Sequence, residues 1–213
     1  MNFKGKNVPE VVIKRLPRYY RYLGEYIKSG TARISSASLS EKMGVTASQI
    51  RQDFNYFGGF GQQGYGYNVE FLHGEIAELL GLCEGYKAVI IGAGHLGFAL
   101  ANHASFEKRG FHITALFDVD ENKVGKTVNQ KPIYHIDEIE EYILQNAISI
   151  AILAIPKNEV GALAERLADY GIKGLWNFSS AEIKLSKPVA IENVHMSDSL
   201  MTLSYKIKQG EES

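Results

Sequence analysis

Two groups of residues in this 213-residue chain have types and spacing suited to chemistry. The first is Gly92-Ala93-Gly94-His95-Leu96-Gly97, set directly behind the apolar run Ala88-Val89-Ile90-Ile91. Glycine at the first position permits a tight turn. At the second it lets the backbone approach a diphosphate, and at the third it lets a helix pack closely on a strand. Amides at the start of such a helix lack acceptors of their own and suit an anion, so His95 is expected near that anion. A second apolar run, residues 113–117, ends in Asp118. That is about 20 residues past the fingerprint, where dinucleotide folds place the acid that holds the adenosine ribose. A glycine turn alone is weak evidence. With the strand, the helix and Asp118 around it, the reading is a dinucleotide site.

The second group is Ser48, Gln49, Arg51, Gln52 and Asn55, on one face of a short helix whose other face is Ile50, Phe54 and Phe57. Arginine and glutamine can each make two hydrogen bonds to a base edge, arginine to guanine and glutamine to adenine. Ser48, Gln49 and Asn55 can reach bases or phosphates from the same face, and Arg33 and Tyr56 suit backbone contacts. Asp53 cannot favour phosphate and is expected to orient Arg51 or a neighbour.

The elements that position these groups follow from spacing and punctuation. A first helix spans about Pro9 to Lys28, with Pro17 set to kink or divide it. A short second helix over residues 39–43 has Ser38 and Glu41 as a capping box. Gly44-Val45 turns the chain, and Thr46 with Gln49 forms another capping box opening the third helix. This is a helix-turn-helix pattern. Residues 58–67 alternate aromatics and glycine around Gln62-Gln63, which suits a small β-hairpin wing, with a flexible loop as the plainer alternative. A helix over 69–80 and a linker over 81–85 close the module.

From Tyr86 the pattern changes. Strands near 87–92, 112–118, 148–155, 173–178 and 189–194 alternate with helices near 95–109, 137–146, 158–170 and 197–208. Alternation of this kind predicts an α/β domain with a mostly parallel sheet covered on both faces. Ala154-Ile155-Pro156 and Asn177-Phe178-Ser179 then fall at carboxyl ends of strands, where open α/β sheets bind ligands. Pro156 equally suits a helix start, and Asn177 a turn. The last helix carries Leu200, Leu203, Tyr205 and Ile207 with no obvious place in the sheet domain, so another subunit is expected to cover it.

Composition narrows the classes. The net charge of −1 conceals ten Lys/Arg against four Asp/Glu in residues 1–60 and thirteen against twenty thereafter, so the two parts should meet different partners. Cys83, the only cysteine, excludes an internal disulfide and a cysteine-ligated metal. No apolar run approaches the roughly 18 residues of a membrane span, and a cytoplasmic protein is expected. The six histidines show no metal spacing. No nucleophile elbow, Tyr-x-x-x-Lys pair or Walker lysine appears. Residues 86–213 suffice for one dinucleotide fold without a substrate domain, which argues against an enzyme.

Ser48 to Gly58 as a block, the wing Gly61-Gln62-Gln63-Gly64-Tyr65-Gly66-Tyr67 and the fingerprint together resemble the Rex family of redox-sensing transcriptional repressors. Phe117-Asp118-Val119-Asp120, Ala154-Ile155-Pro156 and residues 171–178 extend the resemblance, which runs from about Val8 to Ile207. It implies a homodimer with three parts: a winged-helix domain over 1–80, a Rossmann domain over 86–195, and a C-terminal helix over 196–213 exchanged between subunits. Such proteins bind palindromic operators when NADH is scarce and release them when NADH binds. Asp118 would favour NAD(H) over NADP(H).

The implied DNA-facing set is Arg33, Thr46, Ser48, Gln49, Arg51, Gln52, Asn55, Tyr56, Gln62, Gln63 and Tyr65. The implied NAD(H) set is the fingerprint Gly92, Ala93, Gly94, His95, Leu96 and Gly97, with Asp118, Ala154, Ile155, Pro156, Asn177, Phe178 and His103. The chain departs from the family in three places. Gln62 and Gln63 stand where basic wing residues are common, and His103 where a tyrosine is. His195-Met196 replaces an Asp-led pair whose acid can meet an arginine matching Arg21. An oxidoreductase carrying a helix-turn-helix and a regulator reading another nucleotide are the alternatives.

Overall fold

The computed structural model describes residues 8–58 and 65–211. The chain divides into two compact units between Cys83 and Glu84.

In the first unit, Pro17 divides the opening helix into α1 (Glu10–Ile13) and α2 (Leu16–Lys28). A two-residue strand β1 (Arg33–Ile34) leads to α3 (Ser36–Met43) and α4 (Ala47–Asn55). Strand β2 (Tyr67–Asn68) pairs antiparallel with β1 and runs into α5 (Val69–Leu79). Tyr67, the last residue of the stretch expected to form a wing, therefore pairs with a strand that precedes α3, which the sequence pattern did not suggest. Residues 59–64, with Gln62 and Gln63, lie outside the described residues.

Two caps differ from expectation. The extended backbone of Ser35, not Ser38, places a hydroxyl on the Ser38 amide at 3.0 Å, so α3 starts at Ser36. Thr46 does cap the Gln49 amide at 3.1 Å. The Gln49 side chain, however, turns to Asp53 instead of closing a box. Val12, Leu16, Tyr19, Leu23, Leu39, Met43, Ile50, Phe54, Leu72 and Ile76 form one buried core.

The second unit is a seven-stranded sheet ordered β5-β6-β4-β3-β7-β8-β9. Its strands are β3 (Tyr86–Ile91), β4 (Phe111–Asp118), β5 (Thr127–Val128), β6 (Lys131–His135), β7 (Ile150–Leu153), β8 (Gly174–Asn177) and β9 (Ala190–Asn193). All pair in parallel except the edge strand β5. Counted in chain order, the six parallel strands lie 3-2-1-4-5-6, the Rossmann arrangement.

Alternate residues of β3 enter opposite cores: Val89 and Ile91 one, Ala88 and Ile90 the other. Parallel strands buried on both faces read as continuous apolar runs for this reason. Helices α7 (Ile139–Asn146) and α8 (Lys157–Asp169) contribute Ile143, Val160 and Leu163 to the first core. The second core receives Leu100 and Ala101 from α6 (His95–Ala101).

Helix α6 stops well short of the expected residue 109. The Asn102 side-chain amide doubles the last helical bond by donating to the Phe98 carbonyl at 2.8 Å, and the His103 amide then turns to the Leu100 carbonyl at 3.1 Å, which closes the helix in a tighter turn. A separate 3-10 turn over Glu107–Arg109 then ends at Gly110, whose φ is +78°. The final helix α9 (Met196–Glu211) is exposed along its described side chains, with Leu200, Leu203, Tyr205 and Ile207 each more than half exposed.

The close fit of α6 on β3 is testable. A Cβ at Gly97 would run into the Gly92 carbonyl, whereas one at Gly94 meets nothing within 4 Å. Gly97→Ala should cost the second unit about 1–3 kcal/mol in denaturant unfolding, and Gly94→Ala much less.

Candidate functional site

The candidate nucleotide site lies where the strand order reverses, between β3 and β7. Gly92 has φ +100° there, and the place of its missing Cβ is filled by the Ala154 carbonyl. Its amide donates to the Phe117 carbonyl at 2.8 Å, and the Ala154 amide to Ile91 at 2.8 Å. The carboxyl ends of β3, β4 and β7 are thereby drawn together around the turn.

A cleft of about 510 Å³ opens over it, lined among others by Gly92, Gly94, Asp118, Ala154, Ile155 and Pro156. Open space at Gly94 leaves the backbone accessible to a ligand, and the start of α6 faces that end. Phe117, Val119, Ile136, Ile155 and Leu163 supply an apolar wall, with Lys123, Glu159 and Arg166 as further charged groups. This combination fits a nucleotide with a diphosphate.

Asp118 is nearly buried. It accepts the Ala93 amide at 2.7 Å and Lys123 Nζ at 3.1 Å on Oδ2, and the Asp120 amide at 2.9 Å on Oδ1. Burial alone would push this carboxyl up. The Asp120 amide, Lys123 and the Ala93 amide outweigh it and hold the group below the usual aspartate range.

The other expected residues fare differently. His95 is exposed at the first position of α6, Leu96 packs partly on the second core, and buried Ala93 and Gly97 act through backbone and packing. Asn177 belongs to the fold rather than the cleft. Its amide nitrogen donates to Ala181 O and Asn193 Oδ1, and its oxygen accepts the Ser179 amide and hydroxyl, so its polar capacity is spent. Phe178 packs against Trp176 with ring centroids 4.6 Å apart. His103, past the end of α6, stacks on Phe106 at 4.6 Å and pairs with the Ser105 hydroxyl at 2.7 Å. Lys123 and Arg166 were missed. Lys123 was within reach of the sequence, as the nearest cation after Asp118.

The candidate nucleic-acid surface is the outer face of α4. Ser48, Arg51, Gln52 and Asn55 are exposed together, with Thr46 at the N-cap and Tyr56 half-buried at the C-cap. Arg51 Nη1 donates to the Ser36 hydroxyl at 3.0 Å, which steadies it across the turn. Arg33 Nη1 donates to the Tyr65 carbonyl at 3.2 Å, which holds Arg33 against the backbone just before β2.

Asp53 is fully buried; of the two expected targets it holds the neighbour, Gln49, and not Arg51, and its principal partner is Arg15, which the sequence pattern did not suggest. Arg15, at the break that Pro17 makes between α1 and α2, grips both carboxylate oxygens at 2.7 Å. The Tyr19 hydroxyl adds 2.7 Å and Gln49 Nε2 adds 2.9 Å. One amide hydrogen of Gln49 is thus committed inward. Arg18 Nη2 meets the Met43 carbonyl at 2.7 Å, so α2 braces both helices of the pair. Burial would raise the Asp53 pKa; the hydrogen bonds from Arg15, Tyr19 and Gln49 prevail and lower it.

Breaking a buried ion pair on one side leaves an uncompensated charge. Asp53→Ala should cost the first unit about 3–5 kcal/mol, and Asp53→Leu with Arg15→Met much less. Because the folded pKa is depressed, the contribution is complete above about pH 3.9 and is lost as the pH falls through the folded value. The gap between parent and variant, read by denaturant unfolding, should be constant from about pH 5 to 8 and narrow only in acid.

Comparison with known proteins agrees with this geometry. Residues 84–181 match a family model described as a CoA binding domain, and residues 7–55 one described as a putative DNA-binding protein N-terminus. The redox-sensing transcriptional repressor Rex of Caldicellulosiruptor saccharolyticus is 49% identical, over 97% of this chain and 94% of that protein. The Rex of Clostridioides difficile is 50% identical, over 97% of this chain and 98% of that protein. A crystal structure of RSP with beta-NAD+ and operator DNA superposes with a TM-score of 0.91 at 50% identity, covering 97% of this chain and 95% of that one. RSP with beta-NADH gives 0.89 at 47% identity, covering 97% of each chain. With a capped helix-turn-helix before a Rossmann cleft, and similarity over almost the whole length, the chain belongs to the Rex family of redox-sensing transcriptional repressors.

Proposed function

We propose that this chain is a cytoplasmic transcriptional repressor, not an enzyme, that reports the NADH/NAD+ ratio to DNA. One protein carries both a helix with an exposed row of base-reading side chains and a dinucleotide cleft with a ribose-binding acid; that coexistence carries the reading. Residues 1–80 bind the operator, 86–195 bind NAD(H), and 196–213 join two copies. On the DNA side, Arg51 and Gln52 read base edges. Ser48, Asn55, Thr46, Arg33, Tyr56, Tyr65 and the wing glutamines Gln62 and Gln63 contact backbone or flanking groups, and Gln49 is shared with Asp53. On the cofactor side, the Gly92–Gly97 turn, with His95 at its edge, takes the diphosphate, Asp118 the ribose, and Ala154, Ile155 and Pro156 the far wall. His103 and Phe178 belong to the nicotinamide end.

A homodimer is supported by two unpartnered features of the second unit. The apolar residues of α9 face solvent. The core that the seven-residue α6 covers leaves Phe106, Trp176 and Phe178 partly exposed. A second copy whose α9 lies over that region would complete both. Two recognition helices on a palindrome must meet major grooves about 34–36 Å apart. NADH releases DNA if it binds better to a dimer whose heads lack that spacing.

Operator binding titrated separately with NADH, NAD+ and NADPH tests this reading. NADH should release the operator at the lowest concentration, and equal release by all three would refute redox sensing. Arg51→Ala should weaken specific binding by about 1–3 kcal/mol and relax one base preference. Deletion from Ser197 onward should abolish dimers in sedimentation together with operator binding. A truncated chain that still dimerises on its operator would move the interface elsewhere.

A further inference from the structure

Lys123 is a charged group of the cleft that the proposed function leaves without a task. It follows Asp118 and Asp120 in the turn after β4. Its Nζ lies 3.1 Å from Asp118 Oδ2 and 3.7 Å from Asp120 Oδ2. An ionised carboxylate offers about four acceptor positions. At Asp118 three are taken: Ala93 N–H and Lys123 share Oδ2, and Asp120 N–H holds Oδ1. One position remains, yet a ribose presents two neighbouring hydroxyls.

The two backbone donors cannot leave without unmaking the glycine turn and the bend after β4. Lys123 can. Its side chain is 35% exposed and already within reach of a second carboxylate at Asp120. The other cation of the cleft, Arg166, is bonded through its Nε to the Tyr170 hydroxyl at 3.1 Å and not to Asp118. Its guanidinium sits over the Tyr170 ring at 5.9 Å.

We propose that Lys123 is a specificity-determining residue of the ribose site, an exchangeable counter-ion that leaves Asp118 Oδ2 for Asp120 when ribose hydroxyls bind and stays to meet a 2′-phosphate. This rests on the dinucleotide reading of the cleft. Asp118 alone would repel a 2′-phosphate. With Lys123 present, the three side chains carry a formal charge of −1 (two carboxylates, one ammonium) instead of −2. Lys123 therefore softens discrimination against NADP(H), and the preference for NAD(H) reflects the balance of a repelling acid and an attracting base.

The test uses the full chain and calorimetric titration with NADH, NADPH, adenosine 5′-monophosphate and adenosine 2′,5′-bisphosphate. Lys123→Met should raise the NADH-over-NADPH preference about tenfold, the scale of one charge-assisted hydrogen bond. The NADPH and bisphosphate arms should carry most of the change. Lys123→Arg, which keeps the charge, should stay near the parent ratio. A readout without cofactor accompanies these: the Asp118 carboxyl, followed by NMR, should titrate higher in Lys123→Met, because a lowering partner is gone. An unchanged or smaller ratio in Lys123→Met, while Asp118→Asn weakens NADH, overturns the role of Lys123 and leaves the ribose site standing. If Asp118→Asn and Lys123→Met both bind NADH as the parent does, the ribose-site reading itself fails.

Discussion

The constraint on which the cofactor unit depends is the crowding at Gly92. Only a residue without a side chain can hold φ +100° there with the Ala154 carbonyl against it. That one turn brings the carboxyl ends of β3, β4 and β7 within hydrogen-bonding distance of one another. It also aims the Ala93 amide at Asp118, so the acid that would take a ribose is positioned by the loop that would take the diphosphate. The two ends of the site are one covalently short, hydrogen-bonded object. A ligand entering it need not order it first, and preorganisation of this kind converts contacts into affinity with little entropic loss.

The DNA-binding unit solves a similar problem with a buried charge. Asp53 accepts four hydrogen bonds from three residues, two on α2 or at its start and one on its own helix. A buried ion pair is poor evidence of stability, because desolvation consumes most of the Coulombic gain. What the bidentate grip of Arg15 supplies is geometry. It permits one rotation of α4 about its axis, the rotation that turns Ser48, Arg51, Gln52 and Asn55 outward together. Pro17 contributes indirectly, because the helix break it imposes puts Arg15 at a joint from which the guanidinium can reach across.

Much of this was legible in the sequence, and the misses have physical causes. Periodicity marked the amphipathic helices and the doubly buried strands, because those patterns arise from burial itself. The pair β5 and β6 went unseen. Pro132 sits in β6, where a proline normally speaks against a strand, but its partner is Thr127 on the antiparallel edge, where the missing amide hydrogen is tolerated. The turn between them is Asn129-Gln130, both with positive φ, without the glycine that usually signals such a hairpin. Helix α6 is shorter than its pattern because residues after Ala101 keep a helical rhythm while the His103 amide turns to the Leu100 carbonyl and closes the helix locally. In the sites, the tight turn at Gly92 and the place of Asp118 at the end of β4 could be read directly, since both follow from backbone geometry. The partners of Asp53 and Asp118 could not. Arg15 lies 38 residues from Asp53, and only the tertiary fold makes them neighbours.

On the reading proposed above, the two unpartnered regions of the cofactor unit bear on the switch. A helix such as α9, with its apolar residues in water, is an incomplete element until something covers it. If the cover is a second copy, docking of α9 becomes part of folding, and its free energy is linked to whatever else changes the surface it docks on. The side chains nearest that surface are Phe106, Trp176 and Phe178, an aromatic cluster in which Phe106 meets Trp176 edge to face and Phe178 lies tilted against Trp176, with His103 stacked on Phe106. A nicotinamide ring placed beside such a cluster need not act through a dedicated relay. It has only to change how well the cluster receives a helix, and the spacing of two DNA-binding heads follows from the dimer that results.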